Sequence, residues 1–247
     1  MRRQPENMDA LALRAEANSG RKNIAEAIQD YLVLAEHYPK EIKWLRYLAG
    51  AYSQLEDYAN TFYYYNKAIE LGCKDPDLFT SRGRLHLKLN MVKEGIDDLG
   101  TAVDLSQEEL ANEKQDTVWK RLMVIFNLTL RGDAYASIGD TSCMLEDYTA
   151  AVKTAEDGKM WDMYSIWAGD ALHKRALWYV SQKQYKEALG DYTSLILGCG
   201  LERGPQRRAA QWYYERGYVE FLMGGCYEYD FKTAVEADSS YAAKPYK

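Results

Sequence analysis

Proline and cysteine are scarce in this 247-residue sequence, and strand-like patterning is missing. Five prolines leave few interruptions to regular helix, and no alternation of apolar and polar residues runs to useful strand length. The four cysteines, Cys73, Cys143, Cys199 and Cys226, stand 27 to 70 residues apart without a CxxC pair. That spacing argues against a dense disulfide scaffold and points to reduced thiols that serve as small apolar packing residues in a cytoplasmic protein. Long hydrophobic runs are lacking too. The greasiest, Leu122 to Leu130, is interrupted by Asn127 and Thr129, and the opening MRRQPENMDA has no apolar stretch of the secretory kind. A basic surplus is also absent: 31 Lys and Arg against 37 Asp and Glu give a net charge of −6, which argues against nucleic-acid or anionic-membrane partners. Tyrosine, by contrast, is abundant at 21 copies, in a chain that is 47% hydrophobic and 28% charged, as a folded protein is.

Self-similarity reveals the organisation. Six times a small residue sits inside an apolar segment, at Ala15, Ala49, Gly83, Gly132, Ala176 and Gly217. Arg precedes it in five copies (Arg14, Arg82, Arg131, Arg175, Arg216), with Leu48 in the second. After a gap of 16 residues, or 14 in the last copy, comes a second signature. It reads Asp30-Tyr31, Tyr64-Tyr65, Asp98-Leu99, Asp147-Tyr148, Asp191-Tyr192 and Asp230-Phe231. Arg and Asp are lost together in the second copy, as partners in one contact would be. The pattern therefore predicts five ion pairs: Arg14–Asp30, Arg82–Asp98, Arg131–Asp147, Arg175–Asp191 and Arg216–Asp230.

Each copy reads as two helices and a tight turn. From Leu128 to Ala151, apolar residues recur at three- and four-residue spacing on both sides of Gly139-Asp140. Gly139 can end one helix in the left-handed conformation and Asp140 can cap the next. Asp75-Pro76 reads as an N-cap followed by proline in the first turn, and Ser106 with Glu109 has capping-box spacing. Gly158 and Gly204-Pro205 punctuate later junctions. The small residue lets the paired helices cross closely, and the large one from the second helix covers the first. A single pair leaves an apolar face that it cannot bury alone, so neighbours must stack.

These residues resemble the tetratricopeptide repeat (TPR) family, with its W-x2-L-G-x2-Y…A-x3-F…P pattern. The second repeat carries Leu45, Leu48-Ala49, Tyr52, Leu55, Tyr58, Thr61, Tyr65 and Ala68 at the family positions, and the fifth carries Leu172, Ala176, Tyr179, Tyr185, Ala188 and Tyr192. The resemblance covers residues 8–237. It implies an all-α, right-handed TPR-like α-solenoid of about six antiparallel helix pairs, forming one domain over residues 1–247. The repeats fall near 8–39, 40–73, 74–106, 107–157, 158–198 and 204–237. The small residues are spaced by 34, 34, 49, 44 and 41, so the later repeats are stretched and extended helices are expected there. Ser106 to Lys120 reads as an N-terminal extension of the fourth repeat's first helix, while 157–166 and 198–205 read as loop plus extension.

Catalytic patterns are weak. His37, His86 and His173 are isolated, with no HExxH and no Cys/His ligand spacing, and His86 reads as a packed interior histidine. Gly198, Gly200 and Gly204 follow no strand and precede no Lys-Ser/Thr, so they do not make a phosphate loop. The acidic pairs Asp97-Asp98 and Glu108-Glu109 read as adjacent groups on solvated helices rather than as groups converging on a cleft. The chain is therefore expected to be a non-enzyme without cofactor or metal.

The resemblance implies docking of a protein or peptide on a concave face lined by first helices, in the role of adaptor, assembly factor, chaperone or neutraliser of a cognate protein. The candidate face comprises Lys43, Arg46, Tyr47, Arg84, Lys88, His173, Lys174, Tyr214, Tyr218 and Phe221, with Leu177 and Gln211 beside them and Asp9 and Glu16 in the first repeat. Family members that clamp the acidic tail of chaperones use Lys and Asn one turn apart in the first repeat. Ala12 and Glu16 stand there instead, so that clamp is not expected. The basic members of the face point to an acidic or amphipathic segment on the partner. The alternative is a receptor for a short signalling peptide or small ligand in an aromatic-rich C-terminal pocket. After the sixth pair only DSSYAAKPYK follows, too short for a full capping helix. That predicts either a longer natural chain or contact with another chain, including self-association through the C-terminal repeat.

Overall fold

A computed structural model describes residues 7–112, 118–158, 168–198 and 207–244, and among these it contains twelve α-helices, one short 3-10 helix and no strand. The helices are α1 (Met8–Gly20), α2 (Ile24–His37), α3 (Ile42–Gln54), α4 (Tyr58–Glu70), α5 (Pro76–Lys88) and α6 (Val92–Ala111). They continue as α7 (Val118–Ser137), α8 (Thr141–Asp157), α9 (Gly169–Ser181), α10 (Tyr185–Gly198), α11 (Arg207–Leu222) and α12 (Glu228–Ala237), with the 3-10 turn at Ser239–Ala243. Two compact units divide the chain, one up to Leu85 and one from His86.

In the first unit α1 packs on α2 and α3 on α4, and α2 packs on α3 to join the pairs. Its core gathers Ala15, Ala27, Tyr31, Leu34, Trp44 and Leu48, all buried. In the second unit α7 packs on α8, α9 on α10 and α11 on α12, with α6 against α7 and α10 against α11. Its core runs from Val103 through Val124, Leu128, Tyr148, Leu172 and Tyr192 to Val219.

All six small residues are buried, as the crossing argument requires. The reason is sharpest at Gly132, where an added Cβ would stand 2.6 Å from Tyr148 Cε1. The turn between paired helices has its own rule. Seven residues after each small residue the backbone enters the left-handed region, at Lys22, Glu56, Asn90, Gly139, Lys183 and Gly224, with φ between 56° and 77°. That conformation lets a helix end and the chain reverse within a few residues. Asn7, Asp57 and Asp140 then cap α1, α4 and α8 by accepting backbone N–H bonds, and Asp75 accepts from the Asp77 N–H at the start of α5.

Three sequence expectations are corrected. Residues 106–111 belong to the C-terminal end of α6, so the extra length between the third and fourth repeats is divided between α6 and α7, each 20 residues long. Ser106 consequently caps nothing: it is buried, its hydroxyl donates to Ala102 O at 2.6 Å, and it accepts from Asn127 Nδ2 at 3.0 Å. Asp98 is not solvated but 4% exposed, and it lies 2.9 Å from His86 Nδ1, which also makes His86 the packed histidine that was expected. Of the three described cysteines, Cys73 is buried, Cys143 half-buried and Cys226 exposed. The readings at 159–166, Cys199, Gly200 and Gly204-Pro205 lie outside the described residues.

Candidate functional site

The Arg and Asp of the repeat signature are settled by geometry. Arg14–Asp30, Arg131–Asp147, Arg175–Asp191 and Arg216–Asp230 are each two-pronged, with Nε and Nη2 donating to the two carboxylate oxygens at 2.6 to 2.9 Å. In the third repeat Asp98 meets His86, and Arg82 Nη1 donates to Asn66 at 2.7 Å. The carboxylates are nearly buried, so these bonds replace lost hydration and tie the second helix to the first. They belong to the scaffold.

The guanidinium also has a third prong. Arg175 Nη1 donates to Thr149 at 2.9 Å and Arg216 Nη1 to Thr193 at 3.3 Å, in each case on the second helix of the preceding repeat. Asn66 holds the same position in its own repeat, directly after the large residue. Arg131 Nη1 comes over Gly100, where a methyl group would sit 3.6 Å from it.

In the first unit, the candidate residues on α3 gather around one aromatic cluster. Tyr47 is 42% exposed and its ring lies 5.3 Å from Tyr31 and 5.9 Å from Trp44. The Lys43 ammonium stands 4.2 Å over the Trp44 ring, and Arg46 forms a salt bridge with Asp75. Arg84, on α5, is exposed with no ion pair among the described residues.

In the second unit, the candidate residues divide into compensated charges and aromatic contacts. Lys174 Nζ is held between Asp133 at 2.7 Å and Asp170 at 2.6 Å. Burial works against that charge, yet the two carboxylates outweigh it and the Lys174 pKa is raised. Tyr148 donates to the other oxygen of Asp133, and burial together with that carboxylate pushes the phenol pKa up. His173 Nε2 lies 2.7 Å from Glu215, which also accepts from Gln211 and borders Tyr192. His173 and Lys174 are therefore each held by carboxylates of the same unit. Lys88 is exposed at the end of α5.

Tyr214 packs against Phe231 at 6.5 Å and beneath Tyr241 at 4.9 Å, while Phe221 meets Tyr227 edge-on at 5.2 Å. Tyr218 remains 37% exposed. Tyr241 comes from the 3-10 turn, so the tail that looked too short for a cap supplies a ring that covers part of the last repeat.

Solved structures with the same helix arrangement include BtubC from P. vanneervenii, with a TM-score of 0.60 and 13% identity over 97% of this chain and 91% of that one. The fold is TPR-like. PilF of Pseudomonas aeruginosa matches with a TM-score of 0.61 and 14% identity over 96% of this chain and 89% of that one. YrrB, a TPR protein with an unusual peptide-binding site, matches with a TM-score of 0.57 and 13% identity over 86% and 95%. No family model matches the chain. Among curated proteins, mouse dynein axonemal assembly factor 4 is 30% identical over 117 residues, which cover 44% of this TPR-like chain and only 24% of that protein. None of the described helices is long and apolar enough to cross a membrane.

Proposed function

We propose that the chain is a non-catalytic interaction module whose first helices dock a partner protein. The observation that carries this reading is what remains once packing and ion pairing are accounted for. Tyr47 at 42%, Leu177 at 46% and Tyr218 at 37% exposure are large side chains left accessible on first helices, and Arg84 adds an open charge. Rings and guanidinium groups of this kind dominate binding energies at protein interfaces. The peptide-binding site of YrrB and the assembly role in the name of the mouse relative support the same reading. Of the ten candidates, Tyr47, Arg84 and Tyr218 are the anchors; Arg46, His173 and Lys174 orient the surface through their carboxylate partners.

The test is affinity capture with the whole chain, followed by titration of the purified captured protein. Arg84→Glu should weaken binding about tenfold at low salt and less at high salt, and Tyr47→Ala or Tyr218→Ala by a similar factor, with helicity unchanged. Arg46→Glu is a poorer probe, since it also breaks the bridge to Asp75. Unchanged affinity in all three variants would move the docking surface elsewhere.

A further inference from the structure

A short strap follows α12. Asp238 leaves the helix in an extended conformation, its side chain accepts from the Ser240 N–H, and Ser239–Ala243 form the 3-10 turn. The turn's backbone bonds are local, with the Tyr241 N–H donating to Asp238 O and the Lys244 N–H to Tyr241 O. Among residues 239–244, Tyr241 alone is half-buried and the others are exposed. Its ring lies 4.9 Å from Tyr214 and packs on the small cluster that holds Tyr213 and Ala234. Lys244 Nζ stands 4.9 Å from the same ring and belongs to the strap itself. One ring therefore pins the segment to the last repeat.

What that ring covers is a first-helix position of the candidate face. Tyr214 stands three residues before Gly217, as Arg46 does before Ala49 and His173 before Ala176. Tyr218, one turn further along α11, is already 37% exposed. With the strap lifted, Tyr214 and Tyr218 present two neighbouring rings at i and i+4, a pair suited to anchoring a partner. A half-buried ring holds such a segment closed by a factor on the order of ten, which leaves an open population of roughly 10%. We infer that the strap is an internal competitor: Tyr241 occupies in cis the place on Tyr214 that an aromatic side chain of the partner takes in trans. The ring already seated there argues the chemistry of the occupant. The inference rests on the interaction reading above and adds to it one partner residue and a means of restraint.

The test uses the whole isotope-labelled chain and the acetylated, amidated peptide DSSYAAK, which is the strap sequence 238–244 supplied in trans. Read from the Tyr214 and Tyr218 amide resonances, it should bind the Tyr241→Ala variant with a dissociation constant on the order of 1 mM. The intact chain and Tyr241→Phe, which keep the ring, should bind it about tenfold more weakly. A peptide with alanine in place of its tyrosine should leave the resonances unmoved. A purely structural cap would not compete with a partner, so the captured protein supplies the second readout. It should bind Tyr241→Ala about tenfold more tightly than the intact chain, and the tyrosine peptide should displace it. Equal peptide affinity for the intact and Tyr241→Ala chains, binding of the alanine peptide, or no gain in affinity for the captured protein would each overturn the inference. So would a dimer of the intact chain that Tyr241→Ala dissolves, since the strap would then serve a second copy. The peptide titrations do not involve Arg84 or Tyr47, so the strap and the wider docking surface fail separately.

Discussion

At the residue scale, what a charge contributes depends on how much water its partner keeps. Arg14 is 65% exposed in its pair with Asp30, whereas Arg175 is 13% exposed in its pair with Asp191. Asp30→Asn should therefore cost less than about 1 kcal/mol, because Arg14 resolvates. Asp191→Asn strands Arg175 and should cost about 3–5 kcal/mol, read from urea unfolding. Tyrosine adds a pH limit. Tyr148 and Tyr192 have raised pKa values, mainly through burial and further through Asp133 and Glu215. The folded chain thus holds these protons more tightly than the unfolded chain. Their contribution is fully present below the ordinary tyrosine value of about 10 and is lost as pH rises above it. Stability measured from pH 8 to 11 should fall steeply at the alkaline end, and less steeply in Tyr192→Phe.

At the scale of the element, crossing and turn set different demands on the same helix pair. Gly132→Ala places a methyl group against the Tyr148 ring and should destabilise by about 1–3 kcal/mol. Gly190, on α10, has nothing within 4 Å of an added Cβ, so Gly190→Ala should stabilise by about 0.5–1 kcal/mol through helix propensity. Lys183→Gly should also stabilise, by about 0.5–1 kcal/mol, since a branched Cα is strained at φ 59°. Melting curves of the three variants check the set. The six helix crossings were legible in the sequence because Ala and Gly are chemically marked, and the Arg–Asp pairing because both partners vanish together. The six left-handed turns were not, because Lys22, Glu56 and Lys183 carry no mark of the conformation that the fold imposes on them. Ser106 misled for a related reason: capping-box spacing also occurs inside a helix, and its buried partner Asn127 lies 21 residues away.

At the scale of the whole molecule, charge that looked available in the sequence is largely committed. Lys174 meets Asp133 across 41 residues and His173 meets Glu215 across 42, juxtapositions that local spacing does not reveal. In the first unit Glu16 stood out in the sequence as a departure from the basic clamp, whereas the burial of the Trp44 indole nitrogen without a hydrogen-bond partner among the described residues arises only on folding. Tyr241 closes the other end of the described chain against Tyr214. Removing residues 239–247 should lower the melting temperature by about 3–6 °C and raise self-association in light scattering, because the cluster around Tyr213 and Tyr214 loses its cover.

The third prong of the guanidinium couples folding along the chain. Arg175 and Arg216 each close their own helix pair and also grip the pair before it, so one side chain contributes to both the intrinsic and the nearest-neighbour free energy of a repeat. In a linear array the ratio of those two quantities sets how many repeats melt together. Arg175→Lys keeps the charge but cannot span both contacts, so it should broaden the unfolding transition as well as shift its midpoint. If so, cooperativity rests on a few forked side chains, and exchanging one guanidinium for an ammonium should let repeats unfold out of step.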